Sequence, residues 1–90
     1  MNKTENLTMH CKVKDYATWR ASYDSSEKMR QSAGIMNGRV FRSVEDPNDV
    51  VVIQDVTDET KALTWLDSEQ LKTGMRNSGV MGAPIVRFAH

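Results

Sequence analysis

The chain has 90 residues, sets twelve basic side chains against twelve acidic ones, and is 39% apolar. Leu, Ile, Val and Phe fill only 18 of the 90 positions, a low share, but zero net charge removes the self-repulsion that keeps such compositions unfolded. One domain with one modest core follows, and several classes drop out. The longest unbroken apolar run is Val50–Ile53, against the roughly 18 residues a membrane-spanning helix needs. A neutral balance with no basic run leaves no electrostatic footprint for nucleic acid. A single cysteine, Cys11, allows neither an internal disulfide nor a multi-cysteine zinc site. The polar start, Met1-Asn2-Lys3-Thr4-Glu5-Asn6, has no signal-peptide core, so the expectation is a cytoplasmic protein whose residues 1–5 form a flexible lead-in.

Leu7–Val13 alternates, with Leu7, Met9, Cys11 and Val13 on one face and Thr8, His10 and Lys12 on the other. That is a strand with two distinct faces. Asp15 is a plausible N-cap for a helix ending at Gly34, a good residue to stop one. Tyr16, Trp19, Tyr23, Ser26 and Arg30 recur at helical spacing and make one stripe. Ile35–Val44 reads as a second strand. Glu45-Asp46-Pro47-Asn48-Asp49 is turn chemistry throughout and joins that strand to the next in a hairpin.

Val50-Val51-Val52-Ile53 is apolar on both faces, as a central strand covered on both sides would be. A second helical region starts at Thr57 or Asp58 and carries Ala62, Leu63, Trp65 and Leu66. Ser68 followed by Glu69 looks like a fresh N-cap, so this region breaks and restarts before reaching Arg76. Val80–Ala89 is the last strand, and Pro84, which lacks an N–H, places it at an edge or a bulge.

The order β-α-β-β-α-β predicts a ferredoxin-like α+β domain, an antiparallel four-stranded sheet with helices on one face. The other face is then open, yet Val50–Ile53 is apolar towards both sides. A second subunit, making a homodimer, is the simplest cover.

The run Asp15-Tyr16, Trp19, Tyr23-Asp24, Arg30, Ala33-Gly34 and Asp46-Pro47-Asn48 before Val50–Val52 resembles the antibiotic-biosynthesis-monooxygenase-like superfamily. So does the later run Ala62, Ser68, Leu71, Met75, Gly79-Val80, Gly82, Pro84, Val86 and Phe88. The chain is most similar to the small stand-alone cyclase-like members, over roughly residues 9 to 89. The resemblance implies a dimeric α+β barrel with a ligand cavity between sheet and helices in each subunit. It also implies relatives that include cofactor-free oxygenases of aromatic polyketides, haem-degrading enzymes and isomerase-like proteins. A reaction does not follow from it, because function lives in the site and not in the fold.

His10 is the only internal histidine. It could act as a general base towards a phenol or enol, or be a structural histidine tied between layers. It is also the only plausible haem ligand, which makes haem a poor candidate and leaves no expected cofactor. A metal site is weaker still, since the second imidazole is the terminal His90. Trp19 is core packing, with Tyr23 one turn on. The stripe continues with Ser26 and Arg30, where a packed helix would carry Leu or Ile. A cation aimed at a sheet suggests a wet cavity, because an unpaired buried charge is costly. The competing reading has Arg30 reaching the helix C-terminus to meet its carbonyls.

Trp65, Met75 and Met81 complete the expected surroundings, Met being adaptable at permissive binding surfaces. The resulting cavity has the inner stripe of the first helix, the polar face of the first strand and the start of the second helical region as walls. It groups His10, Tyr23 and Arg30 as candidate catalytic residues. Thr8, Trp19, Ser26, Trp65, Met75 and Met81 are the candidate ligand contacts, around a small apolar or aromatic molecule. Two functions follow: a cofactor-independent oxygenase or cyclase, or a non-catalytic ligand-binding dimer.

Overall fold

The computed structural model describes residues 5–89. Its elements are β1 (Glu5–Val13), α1 (Tyr16–Ser25), α2 (Glu27–Ser32), β2 (Ile35–Arg42), β3 (Asp49–Val56), α3 (Glu59–Leu66), α4 (Glu69–Asn77) and β4 (Val80–Ala89). The antiparallel sheet has the strand order β2-β3-β1-β4, the ferredoxin-like arrangement. The flexible lead-in expected over residues 1–5 lies almost wholly outside the described residues. Glu5 itself is already in β1, opposite Val56.

Each helix start has its local cause. The Asp15 carboxylate accepts from the Thr18 N–H, that of Asp58 from Lys61 N–H, and the Ser68 hydroxyl from Leu71 N–H, each satisfying one of the orphan donors of a first turn. Ser68 thus restarts the second helical region as expected. The first region also breaks, which the sequence reading missed. At Ser26 the Tyr23 carbonyl accepts from the Ser26 hydroxyl at 2.9 Å and from Arg30 Nη1 at 2.6 Å. These side chains saturate the acceptor, and the chain turns between α1 and α2.

Gly34 ends α2 at φ 76°, the left-handed conformation that glycine adopts without steric penalty. A Cβ there would also lie 2.9 Å from Asp58 Cβ. β2 stops at Arg42, two residues before the expected end, and Val44 is fully exposed. Pro84 meets both expectations: β4 is an edge strand, and the β1–β4 register shifts between His10 and Lys12, opposite the segment that holds Pro84.

The helices cover the apolar face of β1. Leu7, Met9, Cys11 and Val13 are all buried there, with Val50, Val52 and Val56 of β3 beside them at 0–2% exposure. Each fully buried valine contributes about 1.5–3 kcal/mol. The core is split in two. One cluster gathers Met9, Cys11, Val13, Val50 and Val52 around Trp19. The other gathers Leu7, Ala33, Ile35, Val56 and Ala62, with Trp65, Leu66 and Phe88 against them.

On the opposite, helix-free face the register sets His10 beside Val51 and Ile85, Thr8 beside Ile53, and Phe41 beside Val51. Phe41 is 51% exposed and Ile85 54%. No helix among the described residues is long and apolar enough to cross a membrane.

Candidate functional site

Between the two core clusters lies a recess of about 250 Å³. Met9 and Trp19 of one cluster and Leu7, Trp65 and Leu66 of the other form its apolar walls. Its polar groups are Ser22, Tyr23, Ser26, Arg30 and Gln54, with Gln70 and Ser78 on the α4 side. Of the expected surroundings, Trp19, Tyr23, Ser26, Arg30, Trp65 and Met75 do meet around one space.

Three candidates do not. Thr8 and His10 sit on the helix-free face of β1, and Met81 pairs with Lys12 and points the same way, 54% exposed. The physical reason is that the helix layer buries the apolar side of a two-faced strand. The side turned to the recess is therefore Leu7 and Met9, and the polar face expected as a cavity wall lies behind it. His10 is exposed, and its Nε2 is 2.5 Å from Asp49 Oδ1. It therefore has a carboxylate partner on the neighbouring strand and no access to the recess. His90 lies outside the described residues. No group of three or more His, Cys, Asp or Glu among the described residues could hold a metal ion.

Arg30 is the centre of the polar wall. It is 7% exposed, and its Nη1 donates to the Tyr23 carbonyl and, at 2.7 Å, to the Ser26 hydroxyl. Both readings of this residue therefore hold in part, since it closes the C-terminal end of α1 and also lines the recess. Its Cζ stands 3.6 Å over the Tyr23 ring, a cation–π contact. No carboxylate pairs with it among the described residues. Burial pulls its guanidinium below the ordinary arginine value, opposed by Tyr23, Glu27 and Asp24.

Tyr23 is sandwiched, with Arg30 on its ring and Trp19 stacked at 5.1 Å. Its hydroxyl donates to Gln54 Oε1 at 3.0 Å. Burial pushes the phenol above its ordinary value despite the Arg30 and Arg20 charges, so it stays protonated at neutral pH and is a donor, not a base. The hydroxyl reaches Gln54 over Gly38, where an added Cβ would fall 2.2 Å from the oxygen.

Gln54 escaped the sequence reading, which stopped at the apolar run Val50–Ile53. The signal was there in period two: Val50, Val52 and Val56 share the core face, and Gln54, only 3% exposed, stands in the same row. The Trp65 Nε1–H is buried and has no partner among the described residues.

No protein-family model and no curated protein matches the chain. Solved structures do. An antibiotic-biosynthesis-monooxygenase candidate from Bordetella bronchiseptica superposes with a TM-score of 0.79 at 14% identity, over 97% of this chain and 95% of that one. A second such candidate, from Nitrosomonas europaea, gives 0.69 at 12% identity, over 98% and 89%. A variant of SnoaB, a cofactor-independent oxygenase from Streptomyces nogalater, gives 0.71 at 11% identity, over 97% and 91%. The chain thus shares the ferredoxin-like α+β fold of these antibiotic-biosynthesis-monooxygenase structures.

Proposed function

We propose that the protein is a homodimeric α+β barrel whose recess takes a small aromatic molecule with an acidic oxygen and oxidises it without a cofactor. The observation that carries the reading is Arg30, a buried cation with no carboxylate partner among the described residues, in the wall of a largely apolar recess. A buried charge left unpaired is costly, and an anionic ligand oxygen would balance it. The likeness to SnoaB supports oxygenation as the chemistry.

In this reading Arg30 holds the phenolate or enolate form of the substrate and lowers the cost of forming it. Tyr23, protonated and fixed against Gln54, orients the ring. The substrate anion supplies the electrons: the ring C–H para to its oxygen becomes C=O as the phenol becomes a quinone, one oxygen atom of O₂ is retained, and the other leaves as water with the two hydrogens lost from the phenol. His10 takes no part. Phe41, Val51, Ile53 and Ile85 on the helix-free face support the dimer, because an exposed apolar sheet face of this kind marks an interface.

A second reading, ligand binding without chemistry, is favoured by one observation: no His, Asp, Glu or Cys lines the recess, so a substrate must be acidic enough to ionise without a base. Oxygen uptake separates the two. Metal-stripped protein is mixed with a panel of naphthols, hydroxyquinones and hydroxyaryl carbonyls in an oxygen electrode. The enzyme reading predicts protein-dependent uptake with at least one of them. Binding with no uptake anywhere in the panel would leave the second reading.

A further inference from the structure

Two donors in the wall of the recess lack acceptors. Arg30 spends Nη1 on Tyr23 and Ser26, and its other nitrogens donate to no side chain or carbonyl among the described residues. Gln54 spends Oε1 on the Tyr23 hydroxyl, which fixes the amide with its NH₂ end free of any described partner. That nitrogen is not sealed in the core, since among the described residues Trp65 Nε1 is the one buried side-chain nitrogen or oxygen without a partner, so Gln54 presents its free donor to the recess that it lines. Both donor groups are held against one phenol, Arg30 over the face of the Tyr23 ring and Gln54 at its hydroxyl.

We infer that Arg30 and Gln54 form a two-point clamp for a pair of adjacent oxygens on the ligand, one of them anionic, as in a hydroxyaryl carboxylate or a cyclic β-dicarbonyl enolate. This deepens the proposed function and rests on it. An arginine fork suits paired oxygens, and the Gln54 amide supplies the neutral donor for the second one. The size of the recess narrows the class further. A cavity of about 150 Å³ holds one benzene, so about 250 Å³ takes a substituted single ring or a fused pair. It lies below the roughly 300–1,000 Å³ typical of sites for drug-sized ligands, and a third ring would have to project from its open mouth.

The test uses calorimetric titration of the purified full-length protein with three probes. These are 1-hydroxy-2-naphthoate, which carries the oxygen pair on two rings, 1-naphthol, which lacks the carboxylate, and 1-hydroxy-2-anthroate, which adds a third ring. The clamp predicts that the naphthoate binds at least tenfold more tightly than either of the others. Gln54→Glu keeps the acceptor for Tyr23 but replaces the free donor by a negative charge, and should weaken naphthoate binding at least tenfold. Gln54→Met, similar in volume and uncharged, keeps the test open should the glutamate variant fail to fold, and should weaken it about fivefold or more. Both changes should weaken naphthoate binding by a larger factor than they change 1-naphthol binding.

If naphthol and naphthoate bind wild type equally, or if both variants bind naphthoate as wild type does, the clamp is overturned while the aromatic recess stands. Tighter binding of the three-ring acid overturns the size limit. If none of the probes binds, the clamp falls with the reading it rests on.

Discussion

Gly38→Ala tests the placement of Tyr23, on which the polar wall of the recess depends. Gly38 has no positive φ, so alanine fits the backbone, and removing a strand glycine by itself gains about 0.5–1 kcal/mol. Against that, the new Cβ would meet Tyr23 Oη at 2.2 Å. The phenol cannot swing away freely, because Trp19 stacks on it and Arg30 lies over it. Forcing it aside costs about 1–3 kcal/mol of overpacking, and Gln54 Oε1, left without its donor, adds about 1–3 kcal/mol. The net loss is about 1–5 kcal/mol, where each kcal/mol moves the melting point of a domain this size by about 4–8 °C. In a Tyr23→Phe background the nearest atom is Cζ at 3.4 Å, close to ordinary contact, and the same substitution should cost less than about 1 kcal/mol. Urea unfolding of the four proteins gives the coupling directly. Equal costs in the two backgrounds, or a stabilised Gly38→Ala, would refute the reasoning.

Burial raises both the Tyr23 phenol and the Cys11 thiol in the folded chain. The stability this brings is full below the unfolded values, about 8.5 for Cys and 10 for Tyr, and is lost as pH rises through the folded ones. Unfolding free energy should therefore fall progressively above about pH 9, and the combined Cys11→Ala and Tyr23→Phe changes should flatten that fall in chemical denaturation at graded pH. An unchanged slope would contradict the burial of both groups. Cys11 is 5% exposed, so a thiol reagent at neutral pH should label it only as fast as the chain unfolds. Rapid labelling of the native protein would place it elsewhere. On the helix-free face, Ile85→Asp should weaken the proposed dimer on the order of a hundredfold in sedimentation equilibrium, the equivalent of about 2.7 kcal/mol for an unpaired buried charge. A wild type that is monomeric at low micromolar concentration would remove the dimer altogether.

The elements were legible where a local rule decides them. Alternation marked β1, Ser68 marked the restart at α4, and Pro84 marked an irregular edge strand, because capping and missing donors act within a few residues. The break at Ser26 was not legible, since it depends on Arg30 folding back to a carbonyl seven residues earlier. The site was half legible. Ser26 and Arg30 stood out because they interrupt a helical stripe, and they do line the recess. Alternation in β1 separated two faces without saying which one meets the helices, and the chemistry of His10 drew the reading to the polar one. Burial of Leu7 and Met9 decides against it. Gln54 was missed because its row of valines was read as a run, not as every second residue.

The central claim is that ligand enters the recess between sheet and helices. It is tested most directly by the ¹⁵N spectrum of the protein, where the Gln54 side-chain amide and the Trp65 indole N–H give separate signals. On titration with 1-hydroxy-2-naphthoate, both should shift and saturate together, while the backbone amides of Phe41 and Ile85 on the opposite face stay in place. Shifts confined to that opposite face, with Gln54 and Trp65 unmoved, would contradict the account.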